Sequence, residues 1–156
     1  MNNMLRRAGS AALGICLMVT AGPAGFGQSR DEVRQALVSG AHEKAIALAL
    51  EALRSDPANP EVRFLLARAY AYSGRLAEAE TTLDGLLAEH PADTDLLVFK
   101  ARLLCRRDDL EGAERVFRRA LELQPREADA LVGLADLASW RGDHDAALVL
   151  ARRALD

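Results

Sequence analysis

The chain has 156 residues, half of them apolar and 4% aromatic, with 20 Lys and Arg against 23 Asp and Glu. That is one domain's worth of core-forming material. Residues 1–27 hold Arg6 and Arg7 and no acid, so the remainder carries 18 basic and 23 acidic residues, a balance of −5. A mildly acidic body without a basic stripe excludes nucleic acid as a partner, because that partner needs clustered Lys and Arg facing phosphates.

The N-terminus is different in kind from the rest. Met1 to Arg7 is short and basic, Ala8 to Ala21 is mostly apolar, and Gly22-Pro23-Ala24-Gly25 follows as a helix breaker. Charged start, apolar centre and small-residue exit are the order of a secretory signal. The apolar run of 14 residues is shorter than the roughly 20 that a spanning helix needs. Residues 1–27 are therefore read as a cleaved signal peptide, with cuts expected after Ala21, Ala24 or Gly27. Ile15 ahead of Cys16 fits a lipoprotein processing site poorly. Removal of the signal leaves Cys105 as the one cysteine, so no internal disulfide is expected and stability must come from packing. The expected location is the periplasm.

From residue 28 onward the chain repeats. Pro57, Pro91 and Pro125 stand 34 residues apart, and Ala45, Ala79, Ala113 and Ala147 keep the same interval. Glycine recurs at Gly40, Gly74 and Gly142, with Asp108 where the third would fall. A fixed period of this length marks helix–turn–helix units that stack, since one unit cannot bury its apolar face alone. With each proline at position 32, the repeat domain 28–156 divides into units at about 28–59, 60–93, 94–127 and 128–156. The opening unit has a first helix, DEVRQALVSG, shortened by the signal junction, followed by EKAIALALEALRSDP. The later units pair EVRFLLARAYAYSG with LAEAETTLDGLLAEHP, LLVFKARLLCRRDD with LEGAERVFRRALELQP, and ALVGLADLASWRGD with DAALVLARRALD.

Each repeated position has a physical reason. Small residues at Ala67, Ala101 and Ala135, and at Ala79, Ala113 and Ala147, let paired backbones approach. Leu66, Tyr70, Leu83, Leu104, Phe117 and Leu134 fill the space between layers. The glycines fall where a left-handed residue ends the first helix. Asp109 and Asp143 stand as N-caps of second helices, and the prolines end those helices.

The pattern Leu66-Ala67, Tyr70, Gly74, Ala79, Leu83, Leu86 and Pro91 resembles the tetratricopeptide repeat (TPR) family over about 125 of the 156 residues. Departures are Lys100 and Leu86, where leucine and alanine are usual, and Asp108. The resemblance implies an all-α, right-handed superhelical solenoid of stacked antiparallel helix pairs, about three and a half repeats long. It also implies a concave groove lined by the first helices, at positions 2, 5, 9, 12 and 13 of each unit. Carried onto this chain, that face gathers Arg34, Leu37 and Val38, then Phe64, Arg68 and Tyr72. Val98, Arg102, Cys105 and Arg106 come next, and Asp136, Ser139 and Trp140 end it. Arg34, Arg68 and Arg102 share one position, forming an arginine ladder that Asp136 interrupts. Guanidinium forks beside aromatic rings suit carboxylates, peptide backbones or sugar rings. The competing reading pairs these arginines with Glu61, Asp95 and Asp129 and packs Trp140 on a neighbouring helix. The Lys and Asn that clamp a terminal carboxylate in one TPR subclass do not stand at the groove positions, which disfavours chaperone-tail binding.

Catalysis finds little footing. His42, His90 and His144 sit in different units, which stacking separates too widely for a shared metal or dyad. Cys105 has no expected histidine to activate it, and no phosphate-cradling glycine loop occurs. The expectation is a binding protein, with no enzyme activity, cofactor or metal. A protein or peptide partner is expected in the groove. Leu148, Ala151 and Leu155 are expected to face outward from the second helix of the fourth unit, a basis for self-association. The turns Tyr72-Ser73-Gly74 and Trp140-Arg141-Gly142 are also similar to those of the periplasmic repeats of YaiO-type outer-membrane proteins, although no barrel strands occur here. That likeness implies a truncated or separately encoded repeat module, with envelope polysaccharide-export components as partners and an outer-membrane association.

Overall fold

The computed structural model describes residues 24–155, with side-chain surroundings from Ser29 onward. Eight helices follow one another among the described residues: α1 (Ala24–Val38), α2 (His42–Ser55), α3 (Pro60–Tyr72), α4 (Leu76–Glu89), α5 (Thr94–Arg106), α6 (Leu110–Leu123), α7 (Ala128–Trp140) and α8 (His144–Arg153). Residues 1–23 of the expected leader lie outside the described residues. The opening helix differs from expectation: α1 runs for 15 residues and takes in Ala24 to Gly27 instead of being cut short there. Pro23 stands just ahead of it, where a proline is compatible with a helix start because the first N–H groups need no intrahelical acceptor. None of the described helices is long and apolar enough to cross a membrane.

Each odd-numbered helix packs on the even one that follows, and each even one packs on the next odd one, giving an all-α solenoid. The turn inside each pair is the same. The amide of Ala41 donates to the Ala36 carbonyl at 2.9 Å, Arg75 to Tyr70 at 2.9 Å, Asp109 to Leu104 at 3.0 Å and Asp143 to Ala138 at 2.9 Å. One residue earlier, the backbone is left-handed, as this helix-ending motif requires. That residue is glycine in three turns, and in the third turn it is Asp108, at φ 64°. Aspartate tolerates this conformation better than bulkier residues do.

Side-chain caps start five of the helices. Asp109 and Asp143 accept from the amides of Gly112 and Ala146, as expected. Asn59 and Asp93 do the same for α3 and α5, accepting from Val62 and Leu96. Glu127 accepts from Asp129 at the start of α7. The prolines stand two residues beyond α2, α4 and α6, where they end each unit.

The core follows the repeat. Ala45, Ala79, Ala113, Ala67 and Ala101 are fully buried, and Leu83 and Phe117 are enclosed beside them. Three apolar clusters run along the axis. Tyr70 joins the first to the second and Leu87 joins the second to the third. At one junction the fit is reciprocal: a Cβ on Gly133 would lie 2.2 Å from the Phe117 ring. The large ring at position 24 of unit 3 thus requires the glycine at position 6 of unit 4. Unit 2 has Leu83 at the first of these positions and unit 3 has Phe99 at the second, so bulk is exchanged between the two along the array.

Ion pairs join successive units at their margins. Arg30 meets Glu61 at 2.6 Å and Arg102 meets Asp129 at 2.9 Å. Lys100, the polar departure in α5, pairs with Asp84 of α4. Arg107 pairs with Glu80, and Arg141 makes the corresponding contact with Glu114 one unit later. The Arg141 hydrogen bond is the main cause holding the Glu114 carboxyl below its ordinary range.

Two outcomes are expected. Asp108→Gly will be neutral or stabilising by roughly 0.5–1 kcal/mol in denaturant titration, through relief of the left-handed turn; a loss above about 1 kcal/mol would contradict that account. Gly133→Ala will destabilise by about 1–3 kcal/mol through overpacking. Adding Phe117→Leu should return part of that loss, and a double mutant worse than the sum of its singles would refute the reciprocal fit.

Candidate first-helix binding face

Residues four apart on an α-helix stack on one face. Phe64, Arg68 and Tyr72 therefore form a stripe along α3, and Val132, Asp136 and Trp140 form the matching stripe along α7. The Arg68 guanidinium carbon lies 6.0 Å from the centroids of both Phe64 and Tyr72, held between the two rings. Phe99 of α5 closes the cluster edge-on, 5.5 Å from Phe64 and 6.5 Å from Tyr72. His42, at the start of α2, sits 5.5 Å from Tyr72 on its other flank. Arg106 of α5 reaches back to donate to the Ala71 carbonyl at 2.7 Å. Arg68 and Arg106 make no ion pair with a carboxylate among the described residues.

This cluster spans a seam. The backbones of α1 and α3 approach closely, as do those of α5 and α7, whereas α3 and α5 approach less closely. Phe64, Tyr72 and Phe99 fill the wider gap between them. The arginine ladder is thereby divided into three environments. Arg34 is exposed and lies 3.5 Å from Asp31 on its own helix. Arg68 sits on rings, and Arg102 pairs with Asp129. The competing expectation of arginines paired with acids holds for Arg102 and Asp129, while Glu61 is taken by Arg30 and not by a ladder arginine.

Two residues expected on this face are not on it. Val98 is 5% exposed and Leu37 is 8% exposed, both inside apolar clusters. The close packing of α1 with α3 and of α5 with α7 covers the strip between them. Tyr72, Val132 and Trp140 are open to solvent, Trp140 at 63%. Trp140 thus does not pack on a described neighbouring helix. Phe99 and His42 belong to the cluster and were absent from the expected face. Phe99 stands at position 6, a core position in unit 2, so its aromatic character was the only sequence signal.

Cys105 is half-buried against the apolar cluster that α5, α6 and α7 share. Burial pushes its thiol up from the ordinary range, and the nearby Asp136 carboxylate adds to the rise. A thiol so placed is a poor nucleophile at neutral pH, because the thiolate is the reactive form. Among the described residues no group of three or more His, Cys, Asp and Glu side chains is placed to hold a metal ion. A second concavity of about 550 Å³ lies between α6, α7 and α8. One of its lining acids, Glu114, is already engaged by Arg118 and Arg141.

Comparison with known proteins places the fold. Two tetratricopeptide repeat family models match residues 36–103 and 94–137. Solved structures with the same architecture include a thermophilic TPR protein of Thermus thermophilus, at 23% identity and a TM-score of 0.74, covering 83% of this chain and 73% of that one. MamA from Desulfovibrio magneticus RS-1 matches at 15% identity and a TM-score of 0.71, with coverage of 83% and 73%. Among curated proteins, cellulose synthase operon protein C of Pseudomonas fluorescens (strain SBW25) is 45% identical over 47 residues, 30% of this chain. That match spans 4% of the relative's own length.

Alkylation of Cys105 by iodoacetamide at pH 7.5 is expected to run several-fold slower than that of free cysteine, whose thiol titrates near 8.5. A rate equal to or above the free thiol's would show that the shielding is misread.

Proposed function

The chain belongs to the tetratricopeptide repeat family, and on that premise we propose that it is an exported, non-catalytic adaptor whose first-helix face holds an extended acidic segment of a protein partner. One observation carries this reading: the Arg68 guanidinium lies against the Phe64 and Tyr72 rings, Arg106 of the adjacent first helix reaches the Ala71 carbonyl, and neither arginine has a carboxylate partner among the described residues. Arg102 pairs with Asp129 and Arg34 lies 3.5 Å from Asp31, whereas at the α3–α5 seam an external carboxylate meets no internal acid competing for Arg68 or Arg106. Charge-assisted bonds to a planar fork give orientation as well as energy. The ring faces add an apolar floor for the residue next to the acid. Periplasmic export is supported by the charge and apolar pattern of residues 1–27.

A second reading makes the chain a module of an envelope polysaccharide-export system, associated with the outer membrane. The similarity to cellulose synthase operon protein C favours it, because that protein's name ties it to a cellulose synthase operon. Fractionation separates the two readings. An adaptor is recovered from the periplasm as a free species, whereas an export module is recovered with the outer membrane.

The groove reading is tested by fluorescence anisotropy with a labelled twelve-residue peptide of alternating glutamate with leucine or tyrosine. Arg68→Ala combined with Arg106→Ala should weaken binding at least about tenfold, with helicity unchanged. Raising the salt should also weaken it, because exposed charge pairs are screened. Equal binding by the double variant, or equal competition by the glutamine analogue of the peptide, would overturn the proposal.

A further inference from the structure

The same two repeat positions are joined at one junction and parted at another. At α5–α7, Arg102 at position 9 of unit 3 pairs with Asp129 at position 2 of unit 4, 2.9 Å apart. The corresponding residues at α3–α5 are Arg68 and Asp95, and neither has an ion pair among the described residues. Arg68 lies instead across the Phe64 and Tyr72 rings, 6.0 Å from each centroid. At α1–α3 the same positions hold Arg34 and Glu61, which Asp31 and Arg30 engage. Of these three junctions, α3–α5 alone leaves both charges open.

Asp95 lines a concavity of about 220 Å³ between α3, the end of α4 and the start of α5. Buried Leu86 and Leu96 form part of its lining, and the Phe64 ring that carries Arg68 also borders it. Two further acids line it, and both are engaged. Glu61 meets Arg30 at 2.6 Å, and Asp93 caps α5 by accepting from the Leu96 amide at 3.1 Å. Asp95 is exposed and is the lining acid without such a partner. An apolar hollow beside an unpaired carboxylate suits a lysine or arginine, whose methylenes bury against apolar surface while the charge stays at the edge. Beside the same Phe64 ring, the Arg68 guanidinium offers the complementary place for an acid.

Building on the acidic-segment reading of this seam, we infer that the partner segment alternates in charge, with a lysine or arginine on Asp95 and a glutamate or aspartate on Arg68. Alternate residues of an extended chain point the same way, roughly 7 Å apart, so a base and an acid two residues apart face the groove together. The partner completes both contacts because the protein leaves both unmade at this junction. The charge order also selects against other segments. An all-acidic one brings like charge to Asp95, and an all-basic one brings like charge to Arg68.

Fluorescence anisotropy with two labelled twelve-residue peptides is the experiment: three repeats of Glu-Leu-Lys-Tyr, and the same peptide with glutamine for each lysine. The lysine peptide should bind at least about threefold tighter. Asp95→Asn should abolish that preference without weakening the glutamine peptide, and with helicity unchanged. Glu122→Gln makes the same change in net charge on α6 and should leave the preference intact, which excludes an effect of overall charge. Arg68→Ala should weaken both peptides. Equal binding of the two peptides, a preference that survives Asp95→Asn, or one lost equally in Glu122→Gln would overturn the proposal. If the glutamine peptide then still binds through Arg68, the acidic-segment reading stands without the added charge; if neither peptide binds, both fall.

Discussion

Everything in this protein follows from the inability of one helix pair to bury its own apolar stripe. Ala45, Ala79 and Ala113 bring paired backbones together, yet pairing leaves a second apolar surface that only the next unit covers. Stability is then a sum of nearest-neighbour contacts, and each junction is its own problem in shape. The exchange of bulk between Phe117 and Gly133 is one local solution to it. Lys100 pairing with Asp84 is another, in which a charge at a normally apolar position is retained by an acid on the preceding helix. A periodic backbone with varied junctions gives a rigid array whose units are not interchangeable.

The periodicity made much of this legible in the sequence. Proline and alanine spacing located the helix pairs, because a 34-residue interval can recur in register only if each unit repeats the same geometry. The left-handed turn at Asp108 was legible for the same reason: the position is defined by its neighbours one period away, not by its own residue type. The caps at Asn59, Asp93 and Glu127 carry only the ordinary polar signal before a helix, which many loop residues share. The length of α1 was hidden because a signal-like exit and a helix start use overlapping residues around Pro23.

The candidate face was legible only as a set of positions. Which arginines remain available depends on pairing across units, as with Arg102 and Asp129, and no period reveals that. Burial of Val98 and Leu37 depends on how closely successive first helices approach, a distance that varies along the array. Phe99 entered the cluster because the α3–α5 gap is wide enough to admit its ring beside Phe64 and Tyr72. A repeat motif averages over the differences between junctions that give one face its chemistry, so the seam had to be seen in three dimensions.

That seam also shows how a stacked array makes room for side chains between its first helices. Close packing of α1 on α3 and of α5 on α7 seals the strip between them and leaves nothing for a ligand to enter. At α3–α5 the rings hold the backbones apart, and Arg68 lies across those rings where small residues would have let the helices close. Interatomic attraction falls steeply with separation, so a spread junction gives up part of its packing energy. The wider junction keeps compensating contacts: Arg107 with Glu80, Lys100 with Asp84, and Arg106 to the Ala71 carbonyl. Polar and aromatic links are thus concentrated where backbone packing is loosest. Their concentration there separates a junction built to present side chains from one that merely stacks.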